Sequence, residues 1–296
     1  GEKQAAETKF INIGTGGTAG TYYPLGGAVA EILKDELKLN ATAESTGASA
    51  ANINLLNSGS VDMAFIQNDV SYYADQGTEL FEGKKVEGLK CLATLYPETC
   101  QLMTLKKTGI TRVAHLKGKK VAVGAAGSGV EANARQILAA AGLTYDDISA
   151  QYLSFAEAAN GLKDGNIDAG FITAGYPTAA IQDISAQHDV VLLSLSDDII
   201  NQLMEKYPFY AKMTIPAGTY QKQDQDIQTL AVMAMLVATD KMDDQTAYDT
   251  VKAIYSNLDR LKVAHSVGKL ITRESAMEGV SIPMHPGAEK YFNENK

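Results

Sequence analysis

Two segments of this chain repeat one another, and that repeat limits the available folds more than any other feature. LLNSGSVDMAFIQ (55–67) and GLKDGNIDAGFIT (161–173) share Leu, two polar residues and Gly, then x-[VI]-D-x-[AG]-F-I. Gly59 aligns with Gly165, Asp62 with Asp168, Phe65 with Phe171 and Gln67 with Thr173, at a constant offset of 106 residues. Glycine suits the left-handed turn that closes a helix, and the apolar run after the Asp suits a buried strand. Each half therefore carries the same αβ unit.

The halves also begin alike. KFINIGTGGTAGTYYPLGGAVAEIL (9–33) and KKVAVGAAGSGVEANARQILAAAGL (119–143) each read as strand, glycine loop, helix. Leu25, Val29, Ile32, Leu33 and Leu37 follow the spacing of an amphipathic helix. Strands alternating with helices imply parallel sheets covered on both faces. The expected architecture is α/β, with two similar lobes and a ligand cleft between them. Leu89–Lys106 and YAKMTIPAGTY (210–220) read as extended crossings, so the second lobe is inserted into the first. The expected division is 1–104 for the first part of lobe 1, 105–215 for lobe 2 and 216–296 for the return, with hinges near 104 and 215.

The formal net charge of −9 disfavours nucleic acid or an anionic membrane as partner. The longest apolar run, LAVMAMLVA (230–238), is far short of the ~20 residues a bilayer needs and reads as a fully buried segment. The start, GEKQAAETKF, has no initiator Met and reads as a processed or trimmed terminus, which leaves an extracytoplasmic origin open. Cys91 and Cys100, read as lying on neighbouring strands, either pair outside the cytoplasm or serve as two small buried hydrophobes.

Chemistry for catalysis is hard to find. Around Ser128 the nucleophile-elbow pattern would need glycine at positions held by Ala126 and Val130. No Walker lysine follows either glycine loop, and His115, His188, His265 and His285 are scattered. Asp197 and Asp198 after Ser196 read as a helix cap with favourable first-turn charges. No catalytic residue, metal or cofactor is expected. One enzymatic alternative stands: Gly14, Gly16 and Ala19 fit a dinucleotide fingerprint, and Glu44 ends the next strand where a ribose-binding acid would sit. That would make the chain an NAD-type oxidoreductase. Against it, VGAAGSG opens the second half in the same structural place, which suits a ligand clamped between two lobes.

Helix N-termini with glycine-rich approaches bind anions through unpaired backbone N–H groups. Neither loop, nor QNDVSYY nor ITAGYP, contains Lys or Arg, and Arg135 has a ready partner four residues back in Glu131. A small anion, a carboxylate held by backbone and hydroxyl donors, follows from this pattern. Glycine turns without a ligand are the plainer alternative.

GTGGTAGTYYPLGG, ESTGASAANINLLNSGSVDMAFIQND, LYPE, LKGKKVAVGAAGSGVE and GFITAGYP together resemble the TAXI-type (TRAP-associated extracytoplasmic immunogenic) solute receptors of TRAP transporters. The resemblance runs from about Phe10 to Ile282. It implies a two-lobe type II periplasmic binding protein fold and a periplasmic or surface address. It also implies delivery of an organic acid, often glutamate or a related dicarboxylate, to TRAP membrane permease subunits. Carried over residue by residue, it places Gly16, Gly17, Thr18, Thr21, Tyr22, Gln67, Asn68 and Asp69 of lobe 1 at the ligand. Lobe 2 contributes Ser128, Gly129, Thr173, Ala174, Gly175 and Tyr176. In this scheme backbone of 17–22 holds one carboxylate and Ser128 with Gly129 the other. Gln67, Asn68 and Thr173 add amide and hydroxyl bonds, while Tyr22 and Tyr176 wall the cleft. Asp69 is either a helix cap or, in the cleft, the partner of a positively charged nitrogen on the ligand.

Overall fold

The computed structural model describes residues 9–296; residues 1–8, most of the stretch read as a trimmed terminus, lie outside it. The first half contains β1 (Phe10–Gly14), α1 (Tyr22–Leu37), β2 (Asn40–Glu44), α2 (Ser49–Ser58), β3 (Met63–Gln67) and α3 (Asn68–Gln76). A long strand, β4 (Leu89–Leu105), leads out of it. The second half repeats the order with β5 (Lys120–Ala122), α4 (Gly129–Ala140), β6 (Ser149–Gln151), α5 (Phe155–Lys163), β7 (Ala169–Ala174) and α6 (Ala179–Ser185). It continues through β8 (Val190–Leu192), α7 (Asp197–Lys206) and β9 (Ala211–Ile215). β10 (Ile227–Thr239) returns, and α8 (Asp244–Tyr255), α9 (Leu258–Ala264) and α10 (Pro286–Glu294) complete the chain.

The repeated residues do the same work twice. Gly59 and Gly165 take left-handed φ values of 77° and 74° just past α2 and α5, where a side chain would be strained. The Asp62 carboxylate accepts the Asn12 backbone N–H at 2.8 Å, and Asp168 accepts that of Lys120 at 2.8 Å. Each aspartate thus pins the start of β3 or β7 to the neighbouring β1 or β5. Phe65 and Phe171 enter the cores of their own lobes.

In lobe 1, β2, β1 and β3 run parallel, and β10 joins β3 antiparallel. In lobe 2, β6, β5 and β7 run parallel, and β4 joins β7 antiparallel. The fourth strand of each lobe is therefore a strand that also belongs to the other. β4 and β10 pair antiparallel through the middle of the molecule, with a register shift between Met233 and Met235. Leu92, Ala93, Leu95 and Tyr96 sit in the lobe 1 core and Cys100 and Leu102 in that of lobe 2. Likewise Leu230 and Val232 belong to lobe 2, and Ala234 and Leu236 to lobe 1.

Core membership changes lobe near residues 97–99 on β4 and near 233 on β10. Two expectations are corrected. The extended stretch at 211–215 is an edge strand that pairs with the first half of β10, and an edge strand looks like a crossing in sequence. Cys91 and Cys100 lie on one strand, not on neighbours, about 30 Å apart at the rise of a strand. Both are free and buried, so they do not pair within the chain.

The tightest packing lies where the C-terminal helix meets α8. A methyl group on Gly287 would stand 2.0 Å from the Asp244 carbonyl oxygen, a backbone atom with no room to move. Gly27, inside α1, has open space around it. We expect Gly287→Ala to destabilise by about 1–3 kcal/mol through overpacking. Gly27→Ala should stabilise by about 0.5–1 kcal/mol through helix propensity. Thermal unfolding of both variants tests this, and equal melting temperatures would contradict the packing described.

Candidate functional site

The strands β1, β3, β5 and β7 all point their C-terminal ends at the interlobe seam, where ligands collect in open α/β sheets. A cavity of ≈ 60 Å³ lies there, lined by both lobes. Lobe 1 contributes Gly16, Gly17, Gly20, Thr21 and Tyr22, the turn Thr46 to Ser49, and Gln67. Lobe 2 contributes Ala125, Ser128 to Val130, Ser154, Phe155, Thr173 and Ala174, and Glu98 reaches in from the crossing strand β4.

Five helices have their N-cap residue at this cavity: α1, α2, α3, α4 and α5. α5 is satisfied by its own capping box, with Ser154 Oγ accepting from the Glu157 N–H at 3.2 Å and Glu157 returning the bond. The N-caps of α1, α2 and α4 are Thr21, Ala48 and Ser128, and none makes a side-chain capping bond. Ser128 is 5% exposed and its hydroxyl has no partner. A buried unpaired hydroxyl beside uncapped helix ends costs stability unless a ligand accepts from it. Among the described residues no Lys or Arg lines the cavity.

Its one ionisable acid is Glu98. The Tyr22 hydroxyl donates to Glu98 Oε2 at 2.5 Å, and among the described residues no other side chain bonds to that carboxyl. Burial pushes the Glu98 pKa well above the usual carboxylate range, with the neighbouring charge of Asp69 adding to it.

Nine of the expected site residues line the cavity: Gly16, Gly17, Thr21, Tyr22, Gln67, Ser128, Gly129, Thr173 and Ala174. Five do not. Thr18 is exposed on the outer side of its turn. Asn68 faces the C-terminal chain and the crossing strand: it donates to the Gly279 carbonyl at 3.0 Å and accepts from the Met233 N–H at 3.0 Å. Asp69 neither faces the cavity nor is the N-cap of α3, a position held by Gln67. It is buried at the interlobe seam, accepting from Gln67 Nε2 and Asn133 Nδ2, each at 3.0 Å. Desolvation raises its pKa too. Gly175 lies against Tyr96 and Val267, and its carbonyl accepts from the Thr21 hydroxyl at 3.3 Å. Tyr176 reaches outward to the Thr214 carbonyl.

The sequence reading missed Glu98, Phe155 and the turn at 46–49. Applying the 106-residue offset to the helix starts would have found the last two, because it aligns Ala48 with Ser154 and Ser49 with Phe155. Arg135 does pair with Glu131, at 2.6 Å.

The dinucleotide reading loses its footing here. Gly14 is small because Asn52 crosses it: an added Cβ would meet Asn52 Oδ1 at 2.8 Å. Asn52 in turn donates to the carbonyls of Thr15 and Phe65, each at 2.8 Å, tying the ends of β1 and β3 together. Phe155 of lobe 2 would stand 3.4 Å from a Cβ on Gly20, so the loop faces protein and not an open groove.

The sequence pattern of the NMT1-like family matches residues 13–295. The chain belongs to that family. This NMT1-like protein shares its fold with the periplasmic aliphatic sulphonate binding protein SsuA of Escherichia coli. The TM-score is 0.51 at 17% identity, over 98% of this chain and 84% of that one. PhnD1 of Prochlorococcus marinus, solved with methylphosphonate, gives 0.58 at 11% identity over 89% and 88%. The GluR0 ligand binding core in complex with L-glutamate gives 0.51 at 12% identity over 90% and 99%. The fold is the two-lobe periplasmic binding protein fold, as expected. The described residues include no helix long and apolar enough to cross a membrane and no cluster of three or more potential metal ligands.

The buried carboxyls make stability depend on pH. A carboxyl whose folded pKa is raised holds its proton where the unfolded chain has released it, so stability falls as pH rises above about 4. Glu98→Gln keeps an acceptor for Tyr22 and removes this penalty. The variant should exceed the wild type by about 1–3 kcal/mol at pH 8 and by clearly less at pH 5. Melting curves at the two pH values check it; a gain independent of pH would show that Glu98 does not titrate with folding.

Proposed function

We propose that this protein is an extracytoplasmic solute-binding receptor for a small organic acid that also carries a positively charged nitrogen. The carrying observation is the charge pattern of the cavity: uncapped helix N-termini on both lobes around one buried, otherwise acceptor-rich carboxyl. Helix ends and the Ser128 hydroxyl suit a carboxylate. A buried Glu98 carboxylate needs a cation beside it, and among the described residues no side chain lining the cavity supplies one. An amino acid such as glutamate supplies both. The GluR0 core bound to L-glutamate shows that this fold accommodates such a ligand.

In this reading Gly16, Gly17, Thr21, Ser128 and Gly129 bind carboxylate oxygens through backbone and hydroxyl donors. Glu98 takes the ammonium, the role weighed for Asp69 from sequence. The lobes, divided near residues 97 and 233, close by a hinge in β4 and β10 and exclude water from the ligand. The resemblance to TAXI-type receptors supports delivery to TRAP permease subunits and a periplasmic address. Binding without catalysis is the role, and a dicarboxylate without nitrogen, such as 2-oxoglutarate, is the competing ligand.

Titration calorimetry with L-glutamate and 2-oxoglutarate tests this. The wild type should prefer glutamate. Glu98→Gln should lose glutamate by about 30-fold or more, as expected for removing one partner of a buried charge pair, and keep or improve 2-oxoglutarate. Arg135→Gln should stay within a few-fold of wild type. Preference for 2-oxoglutarate in the wild type, or equal losses for both acids in the variant, would defeat the assignment of Glu98. Co-purified NAD(P) seen by native mass spectrometry would defeat the receptor reading itself.

A further inference from the structure

We infer that Asn133, a residue of α4 outside the cavity, is the positioning residue that couples lobe closure to the geometry of the binding site. Its side-chain oxygen accepts two bonds at once, from Gln67 Nε2 at 3.1 Å and from Thr173 Oγ1 at 3.0 Å. Those two donors are the repeat-equivalent residues at the ends of β3 and β7, one from each lobe, and both line the cavity. Its amide nitrogen donates to Asp69 Oδ2 of lobe 1 at 3.0 Å and to the Tyr210 hydroxyl at 2.8 Å. Asn133 is 1% exposed, and both heavy atoms of its amide are fully used.

The arrangement has a physical consequence. Gln67 and Thr173 can share one acceptor only when the lobes are together, so closure sets both side chains by a single contact. Asp69 reinforces it, because its carboxylate receives the Asn133 donor across the seam and the Gln67 donor within lobe 1, with no cation among the described residues bonded to it. Gly129 belongs to the same device: a Cβ there would stand 2.3 Å from Gln67 Oε1, so a side chain at 129 would push the Gln67 amide away from its partners. All these bonds join protein atoms, so they favour the closed arrangement independently of the bonds a ligand adds.

Asn133→Asp replaces the donor facing Asp69 by a second carboxyl of the same size. Two carboxylates in contact share a proton, so closing the variant takes up one proton and becomes harder as pH rises. The other titratable groups coupled to Asp69 are Tyr73 of α3, Tyr210, and Cys100 and Glu98 of β4; none is a cation.

Spin labels at Ser58 and Asp164, exposed and repeat-equivalent on the two lobes, report the interlobe distance by pulsed dipolar spectroscopy without any ligand. The native cysteines are buried and stay unlabelled. The wild type should show the closed distance at pH 5 and pH 8 alike. Asn133→Asp should shift to longer distances at pH 8 and recover at pH 5. Asn133→Ser, which cannot serve both donors and Asp69, should lengthen the distance at both pH values, and it carries the test if Asn133→Asp does not fold. An open wild type, an Asn133→Asp protein identical to wild type at pH 8, or one equally open at both pH values would overturn the inference. None of these outcomes depends on which acid is bound.

Discussion

The antiparallel pairing of β4 with β10 is the contact on which the rest of the molecule depends. Each strand starts in one lobe's sheet and ends in the other's, so the two lobes cannot be built, or separated, independently. The pairing also decides where chemistry can sit. Residues at the changeover face neither core, because the apolar neighbours of both sheets stop on either side of them. Glu98 occupies such a place, between Tyr96 in one core and Cys100 in the other. A carboxyl a few residues away in either direction would be buried in hydrocarbon at a cost of several kcal/mol.

The fold was readable from sequence because its signals were repeated. Two copies of Gly-x-x-Asp followed by an apolar strand declare two equivalent αβ units, and the aspartates prove to hold equivalent backbone bonds. The second extended segment reads as a crossing because such a segment has the same appearance whether it crosses between lobes or lies at an edge. The pairing partner decides this, and partners for Ala211–Ile215 come from residues further along the chain.

Cavity-lining residues were legible where backbone geometry chose them and illegible where side chains chose them. Gly16, Gly17, Ser128 and Gly129 stand at helix starts, which glycine spacing marks. Asn68 and Asp69 sit beside Gln67 in sequence, yet successive residues entering a helix point about 100° apart. Gln67 therefore reaches the cavity while Asn68 turns to Met233 and Asp69 to Asn133. Glu98 carried no local signal, since a lone acid in an apolar strand becomes meaningful only when its surroundings in space are known.

The two buried acids show how one environment yields two roles. Asp69 has three N–H donors, from Gln67, Asn133 and Val70, so its charge is met by hydrogen bonds within the protein. Glu98 has one hydroxyl and the open side of the cavity. The satisfied acid can hold lobes together without help, whereas the unsatisfied one favours whatever brings it a proton or a cation. Desolvation acts on both, but the number of donors separates a structural carboxylate from one left to find a partner in the cavity. On the proposed reading, selection follows from closure: as water leaves the seam, the cost of an ionised, unmatched Glu98 rises, so a cationic ligand group draws out the carboxylate and a ligand lacking it leaves Glu98 to keep its proton.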